Sequence, residues 1–411
     1  MTKPLDLDHV RRQFPGLSLG WTLFDNAGGS QILRGAVERM TDFLLTRNVQ
    51  IGGSYELSLA AAAALRDGRE AARMLMNAER AEEIVFGPST TVLMQNLARA
   101  MRSQLSPGDE VIVSMADHES NIGPWVGLRE FGITVKVWPL NHETLALDLE
   151  DLGAIMTART RLVCVTHVSN ILGQVQPVAD YARFVHDRGA RICVDAVAYA
   201  PHRAIDVRAW DVDYYVFSLY KTFGPHYAVM YGKHDLLLEL DPLYHYFYGR
   251  DKVPGKLEPG NPSYECAYSV TAIRDYLGGL GGDAGGAATR AGIEAGFAAV
   301  TLQEDALVGR LLDYLGGRND CRVIGAARNE GSARVPTVAF RIAGQDSGAV
   351  ARAMDAHKVA IRHGDFHSRR LIEDLGLEGD GGVLRVSMVH YNTLAEVDRL
   401  CAALDIVLRG A

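Results

Sequence analysis

From about residue 82 the chain alternates between two periodicities, and this alternation restricts its fold more than any other feature. Short runs rich in Val and Ile ("EEIVFG", "DEVIVSM", "TVKVWPL", "RLVCVTHVSN", "RICVDAVA", "DYYVFSLYK", "YAVMYG") alternate with longer segments such as "PVADYARFVHDRGA", which keep their apolar residues on one helical face. Unbroken apolar runs mark strands buried on both sides, and strands alternating with helices mark βαβ units. The expected fold class is α/β, with a mostly parallel seven-stranded sheet covered by helices on both faces. Ligands of such sheets bind beyond the carboxyl ends of the strands.

The most glycine-dense stretch, "GGLGGDAGGA" at 278–287, reads as a joint. After it the style changes to "VPTVAFRIA", the helical "DSGAVARAMDAHKV", "VLRVSMVHYN" and a last amphipathic helix, a pattern that suggests a smaller α+β domain.

Composition excludes several classes of function. With 48% hydrophobic and 22% charged residues in 411, the chain is an ordinary globular one. A net charge of −8 with no clustered Lys and Arg argues against a nucleic-acid partner. No apolar run is long enough to cross a bilayer, so no membrane partner is expected. The N-terminal "MTKPLDLDHVRRQFPG" lacks the apolar core of a secretory signal. Five scattered cysteines without a CxxC pair point to a reducing cytoplasm and away from a zinc cluster. The expected localisation is cytoplasmic.

Three polar residues fall where the sheet's strands end. "VIVSMADHESN" delivers His118, "RICVDAVA" delivers Asp195 and "YYVFSLYK" delivers Lys221. Each has an ordinary reading by itself: a core histidine, a turn-capping aspartate, a snorkelling surface lysine. Together they describe one chemistry. A desolvated lysine has a lowered pKa and can condense with an aldehyde. An aspartate at a neighbouring strand end can keep a pyridine nitrogen protonated, and a histidine can lie flat on the ring. These are the groups that tune pyridoxal phosphate as an electron sink. "FGPSTTVLMQNLARAM" runs from a strand into a helix through Thr90 and Thr91, and such a helix start suits the phosphate, with Ser218 adding to it. The same Ser-Thr-Thr also fits a plain helix cap. No Gly-x-Gly-x-x-Gly follows a strand, which lowers nicotinamide readings.

These residues resemble the class V aminotransferases, and within them the SufS-type cysteine desulfurase-like proteins. The likeness runs in order through "LFDNAGGSQ", "DHESNIGPW", "HVSNILGQVQPV", "VDAVAYAPH", "YKTFGPH", "EPGNPSYE" and "LRVSMVHYNTLAEVDRL". It implies a fold type I enzyme with pyridoxal 5'-phosphate as cofactor, with a large domain at 22–280 and a small domain formed by 1–21 and 288–411. It also implies a homodimer with the site at the interface. By the resemblance Lys221 is the Schiff-base lysine, Asp195 the ring-nitrogen partner and His118 the stacking histidine. Thr91 and Ser218 match phosphate contacts. Asn170 matches a residue reaching the substrate or the cofactor's phenolic oxygen. Arg385 matches the arginine that clamps the substrate's α-carboxylate, and Asn26, His367 and Tyr220 fall around the same substrate pocket.

The departures from the pattern shape the expected reaction. His367, in "IRHGDFHSRR", stands where desulfurases carry their catalytic cysteine, and imidazole cannot store sulfur as a persulfide. Ala198 replaces a Gln or His that contacts the phenolic oxygen. Tyr220 replaces a His, and Asn261 replaces a Thr that reaches the partner subunit's phosphate. His363, Asp365 and His367 could be metal ligands, but the glycine among them argues against one shared helical face. A substrate-recognition loop is the preferred reading, and no metal is expected. The expected activity is C–S cleavage by β-elimination from an S-substituted cysteine. The alternatives are transamination, epimerisation or decarboxylation on the same fold, and, from another class, a catalytically silent scaffold.

Overall fold

The computed structural model describes residues 4–282 and 288–409. Seven strands form the main sheet: β1 Ile84–Gly87, β2 Glu110–Ser114, β3 Thr134–Trp138, β4 Thr160–Thr166, β5 Arg191–Asp195, β6 Tyr214–Ser218 and β7 Ala228–Gly232. Their spatial order is β1-β7-β6-β5-β4-β2-β3, and only β7 runs against its neighbours. The expected seven-stranded, mostly parallel α/β sheet is what the chain forms.

The strands read as unbroken apolar runs because both faces are covered. Ile112, Val163, Val165, Ile192, Val194, Tyr215 and Phe217 pack into one apolar layer. Their alternate neighbours Val111, Val113, Leu162, Cys164, Cys193, Tyr214 and Val216 pack into another. Period-2 geometry sends successive side chains to opposite faces, so each layer takes every second residue. Burying one Val or Ile contributes roughly 1.5–3 kcal/mol, so the sheet dominates the core. At the sheet edge, β3 exposes Thr134 and Val137, in line with its mixed sequence.

A second, antiparallel sheet in the order β10-β11-β9-β8 is built from β8 Cys321–Ile324, β9 Thr337–Ile342, β10 Arg362–Gly364 and β11 Val383–Ser387. The helices Arg290–Gly316, Ser347–Met354 and Leu394–Arg409 supply its apolar cover.

Two features run across the expected domain division. Thr22–Leu23 pairs in parallel with Val359–Ala360, Phe24 lies in the small domain's core, and Asp25 bridges to Ser387. Residues 22–25 are therefore held by strands from the C-terminal part of the chain. A two-residue pairing with a distant segment leaves no local period to read. The helix Arg290–Gly316 also belongs to both domains. Ile293, Phe297 and Val300 lie in the large core, whereas Leu307, Leu311 and Leu315 lie in the small one. In its middle Glu304 is fully buried and binds His202 Nδ1 at 2.9 Å and Arg203 Nη1 at 3.0 Å. Of the expected glycine joint, 278–280 end the helix Tyr264–Leu280, and 283–287 lie outside the described residues. No described helix is long and apolar enough to cross a membrane.

Candidate active site

The carboxyl ends of β1, β2, β4, β5 and β6 open onto one cleft, lined by Thr90, Thr91, His118, Ser120, Asn170, Asp195, Ala198, Ser218, Tyr220 and Lys221. After β1, Ser89 Oγ accepts from the Val92 N–H at 3.2 Å and starts the helix Thr90–Met101. Thr90 Oγ1 lies 2.7 Å from Ser218 Oγ, which ends β6. Two hydroxyls beside the unpaired N–H groups of a helix start form an anion cradle.

Lys221 follows β6 in a short helical turn held by the Leu219 N–H bonded to Tyr227 O at 2.8 Å. Its amine makes no hydrogen bond among the described residues and sits 5.6 Å from the Tyr220 ring. Burial pushes its pKa down to about 8, the Arg385 guanidinium adds to that, and Asp195 opposes it. Asp195, 3% exposed, is pushed up to about 6 by burial, against the Val197 N–H, the Lys221 charge and the Ser120 hydroxyl. The Val197 contact is 2.9 Å. His118 is driven down to about 3, first by burial and then by the charges of Lys221 and His367. The Ser120 N–H donates to its Nδ1 at 3.1 Å, so the neutral ring carries its proton on Nε2. One position earlier, Asp117 is fully buried and bonded by the Ser114 hydroxyl and by Asn121 Nδ2 at 2.8 Å. Burial raises it to about 7, and the nearby Asp195 charge adds to the rise.

This donor set fits pyridoxal phosphate group by group. An uncommitted amine of lowered pKa would suit the aldehyde, and a desolvated carboxylate with a raised pKa would gain most from a cationic ring nitrogen. A neutral imidazole offers a flat face, and the Thr90–Ser218 cradle suits a dianion.

The small domain closes the other side. Arg385, from β11, is 2% exposed, and its Nη2 lies 3.0 Å from Asp25 Oδ1. Its Nη1 donates to Asn170 O at 3.3 Å, and its guanidinium covers the Phe366 ring at 3.8 Å. Arg385 Nε has no hydrogen-bond partner among the described residues. Arg362 reaches the other Asp25 oxygen at 3.4 Å. Tyr220 stacks on His226 with ring centroids 4.9 Å apart. His367 is exposed, its ring 5.4 Å from that of His118.

Other expected site residues are engaged elsewhere. Asn170 lines the cleft, yet its amide donates to Phe366 O at 3.0 Å and accepts from the Ser368 hydroxyl at 2.7 Å. Asn26 is buried, donating to Ser387 O at 2.9 Å and accepting from the Tyr391 hydroxyl, so it fastens the N-terminal segment and does not line the cleft. Asn261 is exposed on a turn with φ +68°, outside this chain's own cleft. His363 bonds Gly381 O at 3.0 Å, and no three His, Cys, Asp or Glu among the described residues converge as metal ligands.

Sequence reasoning missed Asp25, Asp117, Ser120 and Phe366. Ser120 carried a signal, because a serine two residues past a histidine can cap that ring's own turn. Asp25 carried none, since its partner Arg385 comes from the far end of the chain.

The family described as aminotransferase class-V matches residues 22–400. The chain is 39% identical over 410 residues to the aminotransferase-like protein FGM3 of Gibberella zeae, covering 98% of each. It is 33% identical over 415 residues to the cysteine desulfurase-like protein ustD of Aspergillus flavus, covering 98% of this chain and 91% of the relative. Its backbone is similar to the crystal structure of the cysteine desulfurase CsdA from Escherichia coli, with a TM-score of 0.85 and 27% identity over 99% of both chains. With the cleft fitting the cofactor these relatives share, the chain belongs to the class V aminotransferase family and is a pyridoxal-phosphate-dependent enzyme acting on an amino acid.

Proposed function

We propose that the protein is a lyase that removes the β-substituent of an amino acid, with the thiolate of an S-substituted cysteine as leaving group. The observation that carries this reading is the solitary Lys221 amine, held near neutrality by burial in a cleft that no cysteine lines. Cys164 and Cys193 are buried in the sheet, and Cys266, Cys321 and Cys401 lie on elements away from the cleft. A cleft lined by no thiol supports a reaction that stores no persulfide.

When bound, the cofactor supplies an electron sink for charge developing at the substrate's α-carbon. The chain's own residues do the rest. Arg385 takes the α-carboxylate in a two-pronged contact as Asp25 gives way. Lys221, freed as a neutral amine, takes the α-proton as general base. Asp195 keeps a cation beside it, and His118, neutral across the physiological range, fixes the ring plane.

We also read the protein as a cytoplasmic homodimer. All five thiols are free, and Tyr246 and Phe247 stand exposed on one loop with Asn261 exposed on a neighbouring turn, surfaces suited to a second copy. The test of function is to offer S-methylcysteine to the holoenzyme and measure pyruvate and methanethiol. Their joint release in equal amounts supports the reading. A keto acid formed with no thiol points to transamination and ends it.

A further inference from the structure

We propose that His367 is the acid that protonates the departing sulfur, and that Asn170 is the residue that holds it in place. This rests on the β-elimination reading and adds the proton donor which that reading lacks. Lys221 removes a proton from carbon, but a thiol of pKa about 8.5 or above leaves poorly as an anion unless a proton meets it. Within the cleft, His118 is held as a neutral ring, Asp117 is fully buried, and Asp195 is the residue that would hold the cofactor nitrogen. His367 is an imidazole beside His118 that is also exposed, so it can be recharged from water.

The loop that carries it is fixed with unusual thoroughness. Phe366 and His367 both adopt left-handed backbone, with φ of 51° and 60°. Bulky residues avoid this region and hold it where surrounding contacts over-determine it. Those contacts are present. The His367 N–H donates to Asp365 Oδ1 at 3.0 Å, and its carbonyl accepts from the Glu119 N–H at 2.8 Å. Asn170 grips the residues on either side, donating to Phe366 O and accepting from the Ser368 hydroxyl. Arg370 closes a double contact on Glu119 at 3.0 and 3.2 Å. The strained pair therefore touches two groups of the site at once. Phe366 lies against Arg385, which takes the carboxylate in the proposed reaction, and His367 lies against His118, on the side where that reaction puts the β-substituent.

The step balances as follows. Lys221 Nζ takes the α-hydrogen as a proton, and that carbon–hydrogen pair becomes the Cα–Cβ double bond. The Cβ–S pair passes to sulfur, which takes the imidazolium proton of His367 and leaves as a thiol. The neutral His367 ring regains its proton from solvent. Hydrolysis of the unsaturated amino acid gives pyruvate and ammonium.

The holoenzyme is tested with two substrates, S-ethylcysteine, whose thiolate needs a proton, and β-chloroalanine, whose chloride does not. His367→Ala is expected to slow S-ethylcysteine elimination on the order of 100-fold and β-chloroalanine elimination less than about fivefold. Asn170→Ala should show the same bias in weaker form, which a general loosening of the fold would not produce, with retention of the bound cofactor's visible absorption as the check on folding. Equal slowing of both substrates in His367→Ala overturns the assignment of the acid while leaving the elimination reading intact. A wild-type enzyme that turns over neither substrate overturns the elimination reading, and the inference falls with it.

Discussion

Asp25 Oδ1 lies 3.0 Å from Arg385 Nη2, so the guanidinium proposed to take a substrate carboxylate already holds an internal one. Asp25 keeps the buried Arg385 charge company and, in the proposed reaction, is displaced on binding. Asp25→Asn removes the competitor and is expected to lower KM, whereas Arg385→Lys loses the fork and raises KM by roughly 30-fold, the equivalent of about 2 kcal/mol for a hydrogen bond to a charged group. Steady-state kinetics on both variants checks the pair, and a higher KM in Asp25→Asn would sink the displacement argument.

Lys221 has its pKa lowered to about 8, burial being the main cause. Only the neutral amine condenses with the cofactor aldehyde. The rate at which cofactor-free protein takes up pyridoxal phosphate should rise about tenfold between pH 7 and pH 9 and level off above 8, whereas an ordinary lysine near 10.4 would still be climbing steeply. Stopped-flow absorbance across that range gives the profile.

At the opposite end of the sheet His186 Nε2 lies 2.8 Å from Asp213, with Lys233 Nζ 2.8 Å from the same carboxylate. The Asp213 hydrogen bond raises the His186 pKa against the pull of burial. A raised histidine contributes stability that is fully present below its unfolded value near 6.5 and is lost as pH climbs through the folded value. His186→Gln should therefore lower stability by about 1 kcal/mol at pH 6 and by less at pH 8.5. Thermal melts of the two proteins at both pH values test the sign, and a gap that widens with pH would refute it.

Gly68, within the helix Glu56–Met76, faces the backbone of the helix Tyr264–Leu280. A Cβ there would stand 2.1 Å from Ala267 O and 3.1 Å from Tyr268 N. Neither atom can swing away as a side chain would. Gly68→Ala is expected to destabilise by about 1–3 kcal/mol despite its better helix propensity, and Gly279→Ala, where no atom lies within 4 Å, to leave stability nearly unchanged or improve it. Denaturant unfolding of both variants makes the comparison.

The sheet was legible because its order is local: each strand announces itself within a handful of residues, and Lys221, Asp195 and His118 sit where those strands stop. What was not legible is what depends on long closures. Thr22–Leu23 finds Val359–Ala360, and Asp25 finds Arg385, with no pattern near either partner. Asn170 was expected at the cleft and lines it, yet its amide is spent on a loop nearly two hundred positions away, a use that spacing could not disclose. Asn26 was misplaced for the same reason, since its partners Ser387 and Tyr391 enter from the chain's far end.

The helix Arg290–Gly316 is sunk at one end in each core and bolted at its midpoint through Glu304 to His202 and Arg203. Its far half packs under the second sheet, so one rod ties that layer to the segment that follows β5. That segment begins with Asp195 and Ala198, and the floor of the cleft is thereby fastened to the same rod as the sheet that carries Arg385.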